Sequence, residues 1–184
     1  MEARARNNFS RAWAIIKPLL AIAPGIFIII YYILCPAEAH MTSDSTDSLR
    51  WAQATFESGK LISDNFAYAA ILPFGGNLIF LPFIAIFGYS VTAQLCGLTV
   101  FAVLFAAALM YMARGMGYSY TVSAGFVSVV MLVLSSSSKL LEIMWEHIFY
   151  YNLGLLFFCF GFGIVLRILR EGGIRESLAN GKIR

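Results

Sequence analysis

Four stretches of the chain hold no Asp, Glu, Lys or Arg: Pro18 to Ala37, Asn65 to Ala113, Gly115 to Ser138 and His147 to Leu166. A hydrocarbon core about 30 Å thick takes roughly 20 apolar residues of helix, and each stretch is that long or longer. Charges at the membrane centre cost a few kcal/mol each, which accounts for their exclusion. The pattern predicts transmembrane helices at about 18–35, 90–113, 120–135 and 148–167, with a kink at Pro24 and Gly25 in the first. The segment Ile71 to Gly88 is apolar enough to cross, but Pro73, Gly75, Gly76 and Pro82 interrupt it.

Positive charge sets the orientation. The N-terminus to Lys17 holds four basic residues and one acid, net +3, and Arg167 to Arg184 holds five basic residues and two acids, again +3. Pro36 to Ala70 holds five acids and two basic residues, net −3. Arg114 marks one short connection, and Lys139, Glu142 and Glu146 make the next −1. Four spans place the positive segments inside and the negative ones outside, whereas a fifth at Ile71 to Gly88 would put Arg114 and the basic tail outside. That segment is therefore expected to be a re-entrant or interfacial element on the outer side, its broken backbone sheltered by other helices.

The expected organisation is an all-α integral membrane protein. A basic cytoplasmic N-terminus (1–17) leads into a membrane domain (18–170) with an outer loop of juxtamembrane helices (36–88). A cytoplasmic tail (171–184) follows, and the location is the plasma membrane with both termini in the cytoplasm. The composition agrees: 60% of residues are hydrophobic and 12% charged, against about a quarter charged in soluble domains. A cleavable signal peptide is the alternative for the first apolar run, since Ala37-Glu38-Ala39 resembles a cut site. The run's length, its start behind seventeen residues and the nearby Pro36 argue against cleavage. Cys35, Cys96 and Cys159 lack the spacing of a disulfide framework or zinc site and are expected to pack as small hydrophobes.

Candidate chemistry lies in the outer connections. An amphipathic helix is expected over Asp47 to Ser58, with Leu49, Ala52 and Phe56 on its apolar face and Asp47, Arg50 and Glu57 opposite. Gly59 closes it, and Trp51, off the apolar face, is expected at headgroup level. Asp44 has two readings: an N-cap in a capping box, or a carboxylate general base at the water–lipid boundary. Glu142, Glu146 and His147 precede the last span, with Lys139 three residues before Glu142 to offset the repulsion of the two acids. P-loop, GxGxxG, GxSxG and HExxH signatures are absent, as is any acid or base inside a span that could relay protons.

At these residues the sequence resembles the N-terminal part of the GT-C membrane glycosyltransferases, the group of protein O-mannosyltransferases and lipid A aminoarabinose transferases. Asp44 stands fifteen residues before Gly59, Pro73-Phe74-Gly75 takes the place of the family's Pro-Pro-Leu element, and Phe87-Gly88 closes it. The family's next outer acid falls near Glu146, or at Glu142. Ser45 stands where the family has a second acid, leaving Asp47 to share or take over that role, and one proline of the pair is missing.

The resemblance implies sugar transfer from a polyprenyl-phosphate donor to an acceptor protein or glycan of the cell envelope, at the outer membrane face. Catalytic roles fall to Asp44, Asp47 and Glu146, and substrate binding to Arg50, Lys60 and Glu142. A divalent metal is compatible with this chemistry but not implied by the visible ligands. Partners are membrane lipid and the lipid-linked sugar, with no nucleic acid. The family's enzymes have further spans and a C-terminal domain, so the chain is expected to be part of a longer enzyme or a shortened relative, inactive by itself. The alternative is a small non-catalytic membrane scaffold or accessory subunit.

Overall fold

A computed structural model describes residues 2–35, 43–64, 66–67, 75–146 and 151–179, with 2–8, 43–45, 146 and 174–179 described at the backbone only. The described residues form helices and turns, with no strand. The helices are α1 (Glu2–Leu34), α2 (Ser43–Ser58), α3 (Asn77–Phe87), α4 (Val91–Gly115), α5 (Tyr120–Leu134), α6 (Ser138–Leu141) and α7 (Leu153–Ala179). A π-helical segment, Glu142–Glu146, continues α6.

Three helical stretches are long and apolar enough to cross a membrane: Phe9–Leu34, Val91–Gly115 and Leu153–Gly173, with mean hydropathies of 2.2, 2.2 and 2.0. α5 followed by Ser138–Trp145 passes the same test only as a pair bent by 112°. α3, at 11 residues, is too short; its rise is about 16 Å. This is the architecture of a multi-pass membrane protein. α1 is longer than the span expected from Pro18 onward, because helix continues back through the basic N-terminus despite Pro18 and Pro24.

α1 packs along α5, α4 against α7, and α2 against α3, which rests on α4. α4 is the central helix, with 44% of its apolar window buried against 11% for α1. Outward faces remain apolar, with Leu20, Phe27, Val129, Phe158 and Leu169 all exposed, as lipid-facing surfaces require.

Glycines set three of the helix crossings. A Cβ on Gly25 would stand 2.6 Å from Ser128 Cα, one on Gly97 2.1 Å from the Phe80 ring, and one on Gly163 2.6 Å from the Tyr111 ring. Between helices in lipid, such small residues allow the close packing that drives association. At the first crossing Pro24 lacks an N–H and crowds the turn before it. The adjacent Gly25 N–H donates to Ser128 Oγ at 2.9 Å.

The direction of travel follows from pairs along α4. Phe101 meets Trp145 just before α7, Tyr111 meets Phe160, and the Arg114 carbonyl accepts from Arg170. α4 and α7 are therefore parallel, and α5 with α6 returns the chain between them. Serines shape that return: Ser119 Oγ accepts from Val122 N at the start of α5, and Ser136 Oγ donates to the Val133 carbonyl at 2.7 Å. Ser137 Oγ then accepts from Leu140 N, capping α6.

Candidate functional site

α2, α3 and the π segment gather at the end of the bundle where α4 begins. Phe80 of α3 lies on Gly97, Trp145 packs edge-on against Phe101 and Phe105, and α2 touches α3, α4 and the π segment. The helix bearing Asp44 and Asp47 thus adjoins the segment bearing Glu142 and Glu146.

Asp44 lies inside α2, whose helix is already formed at Ser43, rather than at a cap before Asp47; its side chain lies outside the described residues. Those of Glu146 and the whole of His147, Pro73 and Phe74 also lie outside them. Asp47 is half-buried and interacts electrostatically with Arg50. The Arg50 guanidinium interacts with Tyr89 ahead of α4, and this interaction first, with Asp47 assisting, pushes its pKa up. Arg50 is cationic at any pH a cell meets. Lys60 pairs with Asp64 at 2.7 Å, largely in solvent, and Lys139 with the half-buried Glu142 at 2.8 Å. Such surface pairs contribute about 0–1 kcal/mol.

Two expectations about α2 need correction. Trp51 is 1% exposed rather than at headgroup level, and Phe56, grouped with Leu49 and Ala52 on the apolar face, is 53% exposed where those two are buried. The cause is tertiary. The segment after Gly59 (φ 66) folds back over the helix, so Trp51 Nε1 donates to the Leu61 carbonyl at 2.9 Å and the ring stacks on Phe66. The buried face of α2 runs through Thr46, Leu49, Ala52 and Thr55. Hydroxyls on it are acceptable because they are bonded: Thr55 Oγ1 accepts from Asn77 Nδ2 of α3 at 2.8 Å. α2 is docked on the bundle by polar as well as apolar contacts.

Two positioning residues were not singled out from sequence. Asn77, fully buried, joins α3 to α2. Asn152, 1% exposed, donates through Nδ2 to the carbonyls of Ile143 and, at 2.8 Å, Met144. It thereby holds the π segment, whose wider turn leaves carbonyls without regular partners. A polar Asn inside an apolar run was the available signal.

At the opposite end of the bundle Arg114, Arg167, Arg170 and Glu171 line a cavity of about 200 Å³. It forms because α4 and α7 are parallel and meet closely at Gly115 and Gly163, where a Cβ on Gly115 would stand 2.9 Å from the Gly163 carbonyl oxygen. Arginines fifty-three and fifty-six residues apart in sequence are thus brought together. Among the described residues no group of three or more His, Cys, Asp or Glu is placed to hold a metal, and all three cysteines are free, with Cys159 buried, Cys96 half-buried and Cys35 exposed.

No family model, curated protein or solved structure matches the chain. The fold itself defines the class, an all-helical multi-pass membrane protein with a cap of short helices at one end.

Proposed function

We propose that the chain is a GT-C-like membrane glycosyltransferase module, taking a sugar from a polyprenyl-phosphate donor at the outer membrane face. The observation that supports this most is the docking of α2, with Asp44 and Asp47, beside the π segment with Glu142 and Glu146. Acids from two connections remote in sequence then share one membrane face. The sidedness proposed is four crossings: α1 outward, α4 inward, α5 with α6 outward and α7 inward. The cap then faces outside and the arginine cavity inside, in accord with the excess of Lys and Arg on the inner side.

In the proposed reaction Asp44 accepts the proton of an acceptor hydroxyl or amine, with Asp47 sharing or replacing it. The acceptor atom attacks the anomeric carbon, whose bond to the phosphate oxygen breaks, and polyprenyl phosphate departs with the electron pair. Glu146 assists from the π segment, and Arg50, Lys60 and Glu142 orient the substrates. Positioned base catalysis contributes typically 10²–10⁴-fold. In membranes holding the full protein, Asp44→Asn should cut transfer from polyprenyl-phosphate hexose or pentose donors by about that factor, with helicity retained. Unchanged transfer would refute the assignment. A change confined to stability would favour the scaffold alternative.

A further inference from the structure

The cavity between the ends of α4 and α7 has no part in that reaction, and its chemistry is of another kind. Three guanidinium groups and one carboxylate line it. Two of the arginines are held from beneath by aromatic rings: Arg114 Cζ lies 4.0 Å from the centroid of Tyr120 and Arg167 Cζ 4.4 Å from that of Tyr111. Arg170 Nη1 donates to the Arg114 carbonyl at 3.3 Å, tying the third to the same turn. Gly117, at φ 95, keeps that turn open beside Arg170, whose Nη1 lies 3.5 Å from where its Cβ would stand.

These contacts leave donors over. A guanidinium has five N–H groups and no acceptor, whereas Arg114 uses Nη1 toward the Tyr118 carbonyl and its buried Nε has no partner among the described residues. Pre-oriented forks stacked on aromatics suit planar, multidentate recognition of phosphate. The setting identifies the source. Met116, Tyr118 and Tyr120 in the turn after Arg114, and Ile168 and Leu169 in the same turn of α7 as the arginines, are all exposed, the apolar and tyrosine-rich composition found where protein meets headgroups. Basic pockets between transmembrane helices bind anionic lipid headgroups on this principle.

We propose that Arg114, Arg167 and Arg170 bind the phosphate group of an anionic lipid headgroup in the cavity between α4 and α7. Glu171 at the rim opposes the anion and limits its affinity.

The test uses the full chain in mixed micelles with equal phosphatidylglycerol and phosphatidylcholine, and native mass spectrometry to count retained lipid. Wild type should retain phosphatidylglycerol selectively. Arg167→Gln and Arg170→Gln should each weaken retention roughly fivefold, the weight of one basic residue near an anionic surface. Glu171→Gln should strengthen it, an opposite effect that misfolding cannot imitate. Equal retention of both lipids by wild type, or selectivity unaltered in all three variants, would overturn the proposal. Millimolar inorganic phosphate supplies the other source: displacement of the lipid by phosphate would reassign the site to the free ion, and failure to displace supports the lipid.

Discussion

The backbone N–H of Gly25 in α1 donates to Ser128 Oγ in α5 at 2.9 Å, and the two backbones approach so closely there that a Cβ on Gly25 would overlap Ser128 Cα. Pro24 and Gly25 act on the crossing itself. They expose a donor and remove the bulk that would keep its acceptor away. Ser128→Ala should cost about 0.6 kcal/mol and at most about 1.7 kcal/mol, the measured average and maximum for hydrogen bonds between helices in membranes. Gly25→Ala should cost about 1–3 kcal/mol through overpacking. Unfolding of the reconstituted protein in rising SDS gives both values, and a loss below about 1 kcal/mol for Gly25→Ala would contradict the close approach.

A second crossing allows a sharper check. Gly97 lies under the Phe80 ring, so Gly97→Ala should lift α3 from α4 at a cost of about 1–3 kcal/mol. In a Phe80→Ala background the same change should cost little, because the overlapping ring is gone. Additive losses in this double-mutant cycle would show that the two residues do not meet.

Asn152 provides the test of the π segment. Its Nδ2 supplies both hydrogen bonds to the Ile143 and Met144 carbonyls, so Asn152→Ala should cost about 1–3 kcal/mol. Asn152→Asp should be at least as harmful, since a carboxylate cannot donate to carbonyls. Hydrogen exchange read residue by residue should accelerate over 142–146 in both variants and stay unchanged at the Gly25–Ser128 crossing. Acceleration spread evenly over the chain would argue for general destabilisation instead.

The exposed pairs are expected to matter little. Lys60→Gln and Asp64→Asn should each shift stability by less than about 1 kcal/mol. Under the proposed reaction, Lys60→Gln should still raise KM for the sugar donor, and a KM equal to wild type would remove Lys60 from the substrate contacts.

The apolar helices were legible because burying charge in lipid is costly enough to leave its mark on every span: the gaps in the charge pattern fall on α1, α4, α5 and α7. Trp51 shows the limit. A helical wheel knows one helix, whereas the burial of Trp51 depends on Leu61 and Phe66 folding back across it. The arginine cavity was hidden for a related reason. Arg114 read alone is a topological marker of a cytoplasmic turn, and only the parallel approach of α4 and α7 sets it beside Arg167 and Arg170. Gly115 and Gly163 permit that approach, but glycine spacing on two separate helices does not reveal that the two will pair. As for the acids, sequence pointed to Asp44 and Glu146 individually, while the adjacency of α2 and the π segment is a property of the fold.

The account stands most of all on sidedness, with the cap of α2, α3 and the π segment outside and the arginine cavity inside. Single cysteines in a background of Cys35→Ala, Cys96→Ala and Cys159→Ala address it directly, one at Ser58→Cys on the exposed end of α2 and one at Gly172→Cys on the exposed end of α7. A membrane-impermeant maleimide should label Ser58→Cys in intact cells and Gly172→Cys only after permeabilisation. Labelling of Gly172→Cys in intact cells, or of both from the same side, would contradict this sidedness and the outer-face chemistry with it.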